Sequence, residues 1–189
     1  MTGTEIGLGV RALEWIVARL GWWIPQLEFV FDPSDARYVQ TTFILRDRIA
    51  HGQSGIAVAT IAVRASLLRV GLRTRGHKSV DDVRVELARL QPPVVATVPF
   101  PLKVAHNQSE PLTLHPSRHP AQFVEIAVKA DGNDEPVTVQ HHVQPIDISL
   151  GPGEYQFTLV ATGRDVSAVE RTFILSIDLH GQPRFRATG

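Results

Sequence analysis

Between Leu68 and Leu87 the chain alternates apolar and polar residues, breaks at a polar loop, and alternates again. Leu68, Val70 and Leu72 point one way, Arg69 and Arg73 the other. After the loop, Val83, Val85 and Leu87 alternate with Arg84 and Glu86. A period of two with polar partners describes a strand buried on one face only. The two runs are expected to form a hairpin. A lone hairpin is marginal in water, so a second sheet must cover its apolar face.

The same pattern recurs along the chain. Leu27 to Phe31 predicts a short strand, stopped by Asp32-Pro33-Ser34-Asp35, residues that form turns through their own side chains. Tyr38 to Leu45 is expected to be a strand and Arg46 to Gly55 a loop. Ile56 to Arg64 is apolar in two phases, and a bulge or a bend near Thr60 would reconcile them. The prolines at 92, 93, 99 and 101 leave Phe100 to Val104 as an edge strand. Val124, Ile126 and Val128 share one face of the next strand, and Val137, Val139 and Val143 one face of the strand after that. Gly151-Pro152-Gly153 is a turn, followed by Tyr155, Phe157, Leu159 and Ala161 at period two. Phe173, Leu175, Ile177 and Leu179 make a last strand ended by Gly181. Strands at this spacing, separated by turn signals, predict an antiparallel β-sandwich over residues 26–189. Val85, Phe157 and Leu175 are expected to be buried, in facing sheets.

Residues 1–25 read differently. Val10, Leu13, Ile16, Val17, Leu20 and Ile24 share one side of a helical wheel, with Arg11 and Glu14 opposite and Arg19 on the flank. This predicts an amphipathic α-helix that Pro25 ends. Its apolar face must meet the sandwich, a second chain or a bilayer. Arg11, Glu14 and Arg19 argue against a transmembrane span and for packing or an interfacial pose. No convincing signal-peptide pattern is present. Leu13, Ile16, Leu20, Trp22 and Trp23 are the candidate contacts with a partner or a membrane surface.

Among 189 residues there is no cysteine, which removes disulfides, thiolate nucleophiles and Cys-type zinc sites. A formal net charge of zero gives no basic surface for non-specific nucleic-acid binding. A cytoplasmic or membrane-associated location fits better than a secreted one.

The search for chemistry ends without a reaction. His115 and His119 are four apart, but Pro116 and Pro120 argue against a helix that would align them. His141 and His142 are neighbours on a strand and point to opposite faces. Asp81-Asp82, Asp32 with Asp35, and Asp131 with Asp134 and Glu135 cluster in expected loops, without the spacing of a calcium loop. Gly76-His77-Lys78-Ser79 lacks the upstream glycine of a phosphate loop. No serine sits in a nucleophile elbow. The expectation is no catalytic, cofactor or metal residue, and no enzyme.

Leu150-Gly151-Pro152-Gly153-Glu154-Tyr155 resembles the approach to a late strand of immunoglobulin-like domains, with Tyr155 as a corner tyrosine bonded to upstream backbone. Leu68 to Leu87 resembles bacterial immunoglobulin-like modules of the CARDB kind (cell-adhesion-related domain found in bacteria). Thr74-Arg75-Gly76 stands where Asn-x-Gly is usual. From Phe29 to Phe185 the order of features is similar to uncharacterised bacterial proteins with a short N-terminal helical or membrane segment ahead of one such domain. The features include Phe31-Asp32-Pro33-Ser34-Asp35, Gln122-Phe123-Val124-Glu125-Ile126, Thr162-Gly163-Arg164-Asp165-Val166 and Gly181-Gln182-Pro183-Arg184-Phe185. The resemblance implies a fold and no reaction.

The expected role is therefore a non-enzymatic interaction or scaffold module, tethered by its N-terminal helix to a protein partner, a second copy or a membrane surface. The alternative is a carbohydrate- or small-ligand-binding module. All three tryptophans lie in the N-terminal helical region, which counts against it.

Overall fold

Two six-stranded antiparallel sheets carry the fold. The computed structural model describes residues 25–52, 55–94, 98–104, 112–120, 122–132, 135–140 and 147–188. The predicted N-terminal helix, and with it Leu13, Ile16, Leu20, Trp22 and Trp23, lies outside the described residues, as do Val143, His141 and His142. Among the described residues no helix is long and apolar enough to cross a membrane.

The first sheet contains β1 (Gln26–Val30), β2 (Val39–Gly52), β3 (Gly55–Arg75), β7 (Gln122–Ala130), β8 (Val137–Gln140) and β9 (Asp147–Leu150). The second contains β4 (Val80–Gln91), β5 (Phe100–Pro101), β6 (Leu112–Leu114), β10 (Gly153–Gly163), β11 (Val166–Ile177) and β12 (Pro183–Ala187). Along the first sheet the order is β1-β3-β7-β8-β9, with β2 also on β3. Along the second it is β12-β11-β10-β4-β5, with β6 also on β4. The inner faces meet in one core. Phe29, Val70, Leu72, Val124, Ile126, Val137 and Val139 come from the first sheet, and Val85, Leu87, Phe157, Leu159, Phe173 and Leu175 from the second.

The expected hairpin at Leu68 to Leu87 is not one. β3 and β4 belong to different sheets, and residues 76–79 carry the chain across the core between them. Both runs do bury the apolar sets predicted, with Leu68, Val70, Leu72, Val83, Val85 and Leu87 all buried. Two strands that turn their apolar faces toward each other across an interior satisfy the same alternation as two strands side by side. Gly76, at φ +104°, takes the backbone conformation that begins the crossing.

Other expectations are corrected in the same way. Val85, Phe157 and Leu175 are buried but share one sheet, since β4, β10 and β11 are adjacent. The run ending at Leu179 stops at Ile177. Leu179 is 89% exposed, and the Asp178 carboxylate accepts from the His180 and Gln182 amides at 2.9 and 2.8 Å, closing a turn into a further strand, β12. Asp81 and Asp82 lie within β4, not in a loop. Burial in β4 begins at Val80, follows odd positions from Val83 to Leu87 and then moves to Leu90. The register with β10 shifts between Leu87 and Arg89, so Ala88 is the extra residue of a bulge.

Tyr155 sits as expected, just inside β10 after the Gly151-Pro152-Gly153 turn that takes the chain from one sheet to the other. Its ring is buried and its hydroxyl donates to the Gly151 carbonyl at 3.1 Å. Asp32 and Asp35 also serve the turn predicted for them. Asp32 accepts from the Ser34 amide at 2.9 Å and Asp35 from the Arg37 amide at 2.9 Å, at the start of a 3-10 turn, Ala36–Tyr38.

Candidate functional site

β2 does not end at Leu45, and β3 has no bulge at Thr60. Fourteen consecutive pairs join them, from Val39 opposite Leu68 to Gly52 opposite Gly55, without a register shift. β7 accompanies β3 only as far as Ala65. Beyond that point, Phe43–Gly52 and Gly55–Arg64 form a two-stranded arm with no further strand on it among the described residues. At about 3.4 Å per residue the arm is roughly 34 Å long.

Pairing and period two decide which side chains share a face of the arm. Val39 lies opposite Leu68, so Val39, Phe43 and Leu45 continue the face that β3 turns to the core. Val58 and Ala62 extend that face from β3. Where the sandwich ends, no sheet covers it among the described residues. Phe43 is 70% exposed, Leu45 76% and Val58 62%, while Ile61 is exposed on the opposite face. The two apolar phases of Ile56 to Arg64 are thus two faces of one regular ribbon. That was the signal for the arm in the sequence: an uncharged, β-branched run with apolar residues in both phases.

At the root of the arm the sandwich opens into a cleft of about 590 Å³. Phe31, Leu68 and Phe185 line its apolar side, with Lys129, Asp131 and Arg184 around them and Val39 leading out to the arm. The aromatic wall is tightly packed. Phe31 meets Tyr38 and Phe185 edge-on at 5.3 and 5.1 Å, and Phe185 stacks on Phe173 at 5.3 Å.

Polar contacts fasten the root. The Asp131 amide donates to the Arg64 carbonyl at 2.8 Å, Arg64 lies 3.7 Å from the Asp131 carboxylate, and Arg46 pairs with Glu135. Lys129 is buried; its ammonium donates to the Gly132 carbonyl at 2.6 Å and to the Glu135 carbonyl. These bonds tie the turn after β7 and lend a positive charge to the cleft wall. Nearby, Arg69 is buried with its guanidinium 4.6 Å from the Phe123 ring centre, and it donates to the Arg37 carbonyl at 3.0 Å. Burial lowers its pKa from the usual arginine value, and the carbonyl and ring take the place of water around the cation.

Among the described residues the titratable clusters noted in the sequence do not assemble into a centre. The His115 ring is bonded to Ser79 at 2.8 Å. Asp81 accepts from Thr113 at 2.8 Å and Asp82 pairs with Arg164. Hydrogen bonds from Ser34 and Arg37 hold Asp32 and Asp35, respectively, below the ordinary carboxylate value. Among the described residues no group of three or more His, Cys, Asp or Glu is placed to hold a metal ion. No family model, curated protein or solved structure matches the chain.

Proposed function

We propose that the chain is a non-enzymatic interaction module whose contact surface is the open end of the sandwich and the arm that leaves it. The observation that carries this reading is the exposure of Phe43 and Leu45 on a ribbon that continues the core face past the end of the opposing sheet. Leaving large apolar side chains in water forgoes about 1.5–3 kcal/mol each relative to burial, and clustered exposed apolar residues mark contact sites. Supporting an immunoglobulin-like description of the scaffold are the Tyr155 corner and the order β11-β10-β4, which matches the G-F-C order of that fold. The first sheet departs from it. In the immunoglobulin fold the strand leading into the corner lies beside strand B, whereas β9 lies at the far edge.

The test is to shorten the arm to an Asn-Gly turn between Thr41 and Ser66, which face each other across the ribbon. The sandwich is expected to stay folded with a small loss of melting temperature, because the removed residues include none of the core cluster but do carry the Arg46–Glu135 and Arg64–Asp131 contacts. In extracts of the native cell the intact chain is expected to run in a complex larger than a monomer, and the shortened chain as a monomer. Equal sizes for the two would remove the arm as the contact surface.

A second reading rests on the cleft. Its volume and mixed lining fall within the range of small-molecule sites. An apolar ligand with an anionic group would suit Phe31, Phe185, Lys129 and Arg184. A ligand of that kind should raise the melting temperature of the shortened chain as much as that of the intact one.

A further inference from the structure

Resting on the reading of the arm as a contact surface, we infer that its occupant is a second copy of this chain. β2 pairs edge to edge with β2 of the second copy, antiparallel, about a two-fold axis at Ile44. A two-fold contact needs a patch that complements itself. When two identical strands pair antiparallel about such an axis, one residue faces its own copy, and neighbours face each other in mirror order. With the axis at Ile44, Phe43 faces Leu45 of the second copy and Leu45 faces Phe43, while Thr42 faces Arg46. Phe43 and Leu45, both largely exposed, then form a cluster of four with their copies on one face. Moving the axis to Leu45 sets Ile44 against Arg46, and moving it to Arg46 sets arginine against arginine, which is unfavourable.

The edge is prepared for such pairing. β2 contains no proline and no lysine, and its register with β3 is unbroken over fourteen pairs. Proline, charged side chains (lysine above all) and bulges are the usual devices that stop an edge strand from pairing with another chain. The charged residues of β2, Arg46, Asp47 and Arg48, lie to one side of the axis and stand opposite the uncharged Thr42, Thr41 and Gln40 of the second copy. A formal net charge of zero removes long-range repulsion between two copies. In this register Val39 to Ile49 of each copy overlap. One hydrogen bond per residue over that length is about ten, the usual number for a specific interface.

The chain has no cysteine, so Ile44→Cys introduces a single thiol. Facing residues of an antiparallel pair have Cα atoms about 4.5–5.5 Å apart, within disulfide reach. The purified full chain is expected to show twice the monomer mass by light scattering. Mild oxidation should convert the Ile44→Cys chain to a covalent dimer and leave the Gln40→Cys chain uncrosslinked, because residue 40 lies far from its own copy in this register. Phe43→Lys with Leu45→Lys sets ammonium against ammonium and should give a folded monomer whose melting temperature no longer depends on protein concentration. Phe43→Glu with Leu45→Lys sets each carboxylate against an ammonium and should restore a salt-sensitive dimer. A monomer mass for the wild-type chain overturns the inference, as does a dimer that survives the double-lysine change. If the purified chain is monomeric but arm removal still dissolves the larger complex in native extracts, the self-pairing fails and the arm remains a contact surface. If arm removal changes neither, both fail.

Discussion

Tyr155 places its ring in the core and its hydroxyl 3.1 Å from the Gly151 carbonyl. Tyr155→Phe keeps the ring and removes the bond. Gly151 is exposed, so water can replace the lost donor, and the cost is expected near the net value of one hydrogen bond, about 0.5–1.5 kcal/mol. An unchanged urea midpoint would show that the corner bond contributes nothing. Glu28 ties β1 to β3 by accepting from Arg73 at 2.6 Å and from Arg75 at 2.6 Å. Burial alone would raise its carboxyl, but the bonds from Arg73 and Arg75 outweigh that and hold it below the ordinary 4.5. A carboxyl lowered on folding adds stability above its unfolded value, and that stability is lost as pH falls through the folded value. The midpoint gap between wild type and Glu28→Gln should therefore be full at about pH 6 and close toward about pH 3. A gap that stays constant would contradict the assignment. Of these two residues only Tyr155 was legible in the sequence, because its partner is four residues away; Arg73 and Arg75 meet Glu28 through strand pairing.

At the scale of the element, alternation in β10 named its buried face correctly. Tyr155, Phe157, Leu159 and Ala161 all lie inside. Phe157 is fully buried, with Leu90 and Phe173 as its cross-strand neighbours. Phe157→Ala is expected to cost about 3–5 kcal/mol, a large share of the roughly 5–15 kcal/mol typical of a domain. Chemical denaturation of the variant measures this, and a loss under about 1 kcal/mol would mean the cavity collapses without penalty. The same reasoning failed for β2 and β3. Val58 and Ile61 are exposed on opposite faces of the ribbon and need no single apolar phase, so the run Ile56 to Arg64 looked irregular although its pairing is regular. Arg46, the start of the expected loop, instead sits in mid-strand and reaches Glu135 on the turn after β7.

Across the whole molecule, stability rests on two apolar faces closed over one core, reinforced by bonds from sheet to sheet. Arg171 of β11 donates to the Phe29 carbonyl of β1 at 2.6 Å. The closure among the described residues is made by side-chain packing and hydrogen bonds. A chelator is therefore expected to leave the melting temperature unchanged, and a fall of several degrees would reveal a metal that contributes folding energy. The cleft and the arm belong to this scale too. The cleft lies between Pro183, Arg184 and Phe185 of β12 and Val39, Ser66 and Leu68 of the first sheet, and the arm exists because β3 outruns β7.

The order of side chains is enough to read that the chain is β-rich, which residues of most strands turn inward, that Tyr155 bonds to backbone just upstream, and that cysteine chemistry is absent. These follow from side-chain type, from a period of two and from bonds within a few residues, all of them local. That Leu68 to Leu87 bridges two sheets, that Val85, Phe157 and Leu175 share one, and that Phe43 and Leu45 have nothing opposite them among the described residues is visible in the fold alone. Alternation tells which face of a strand is apolar. It does not tell what lies across from that face, because the neighbours that cover it come from distant parts of the chain.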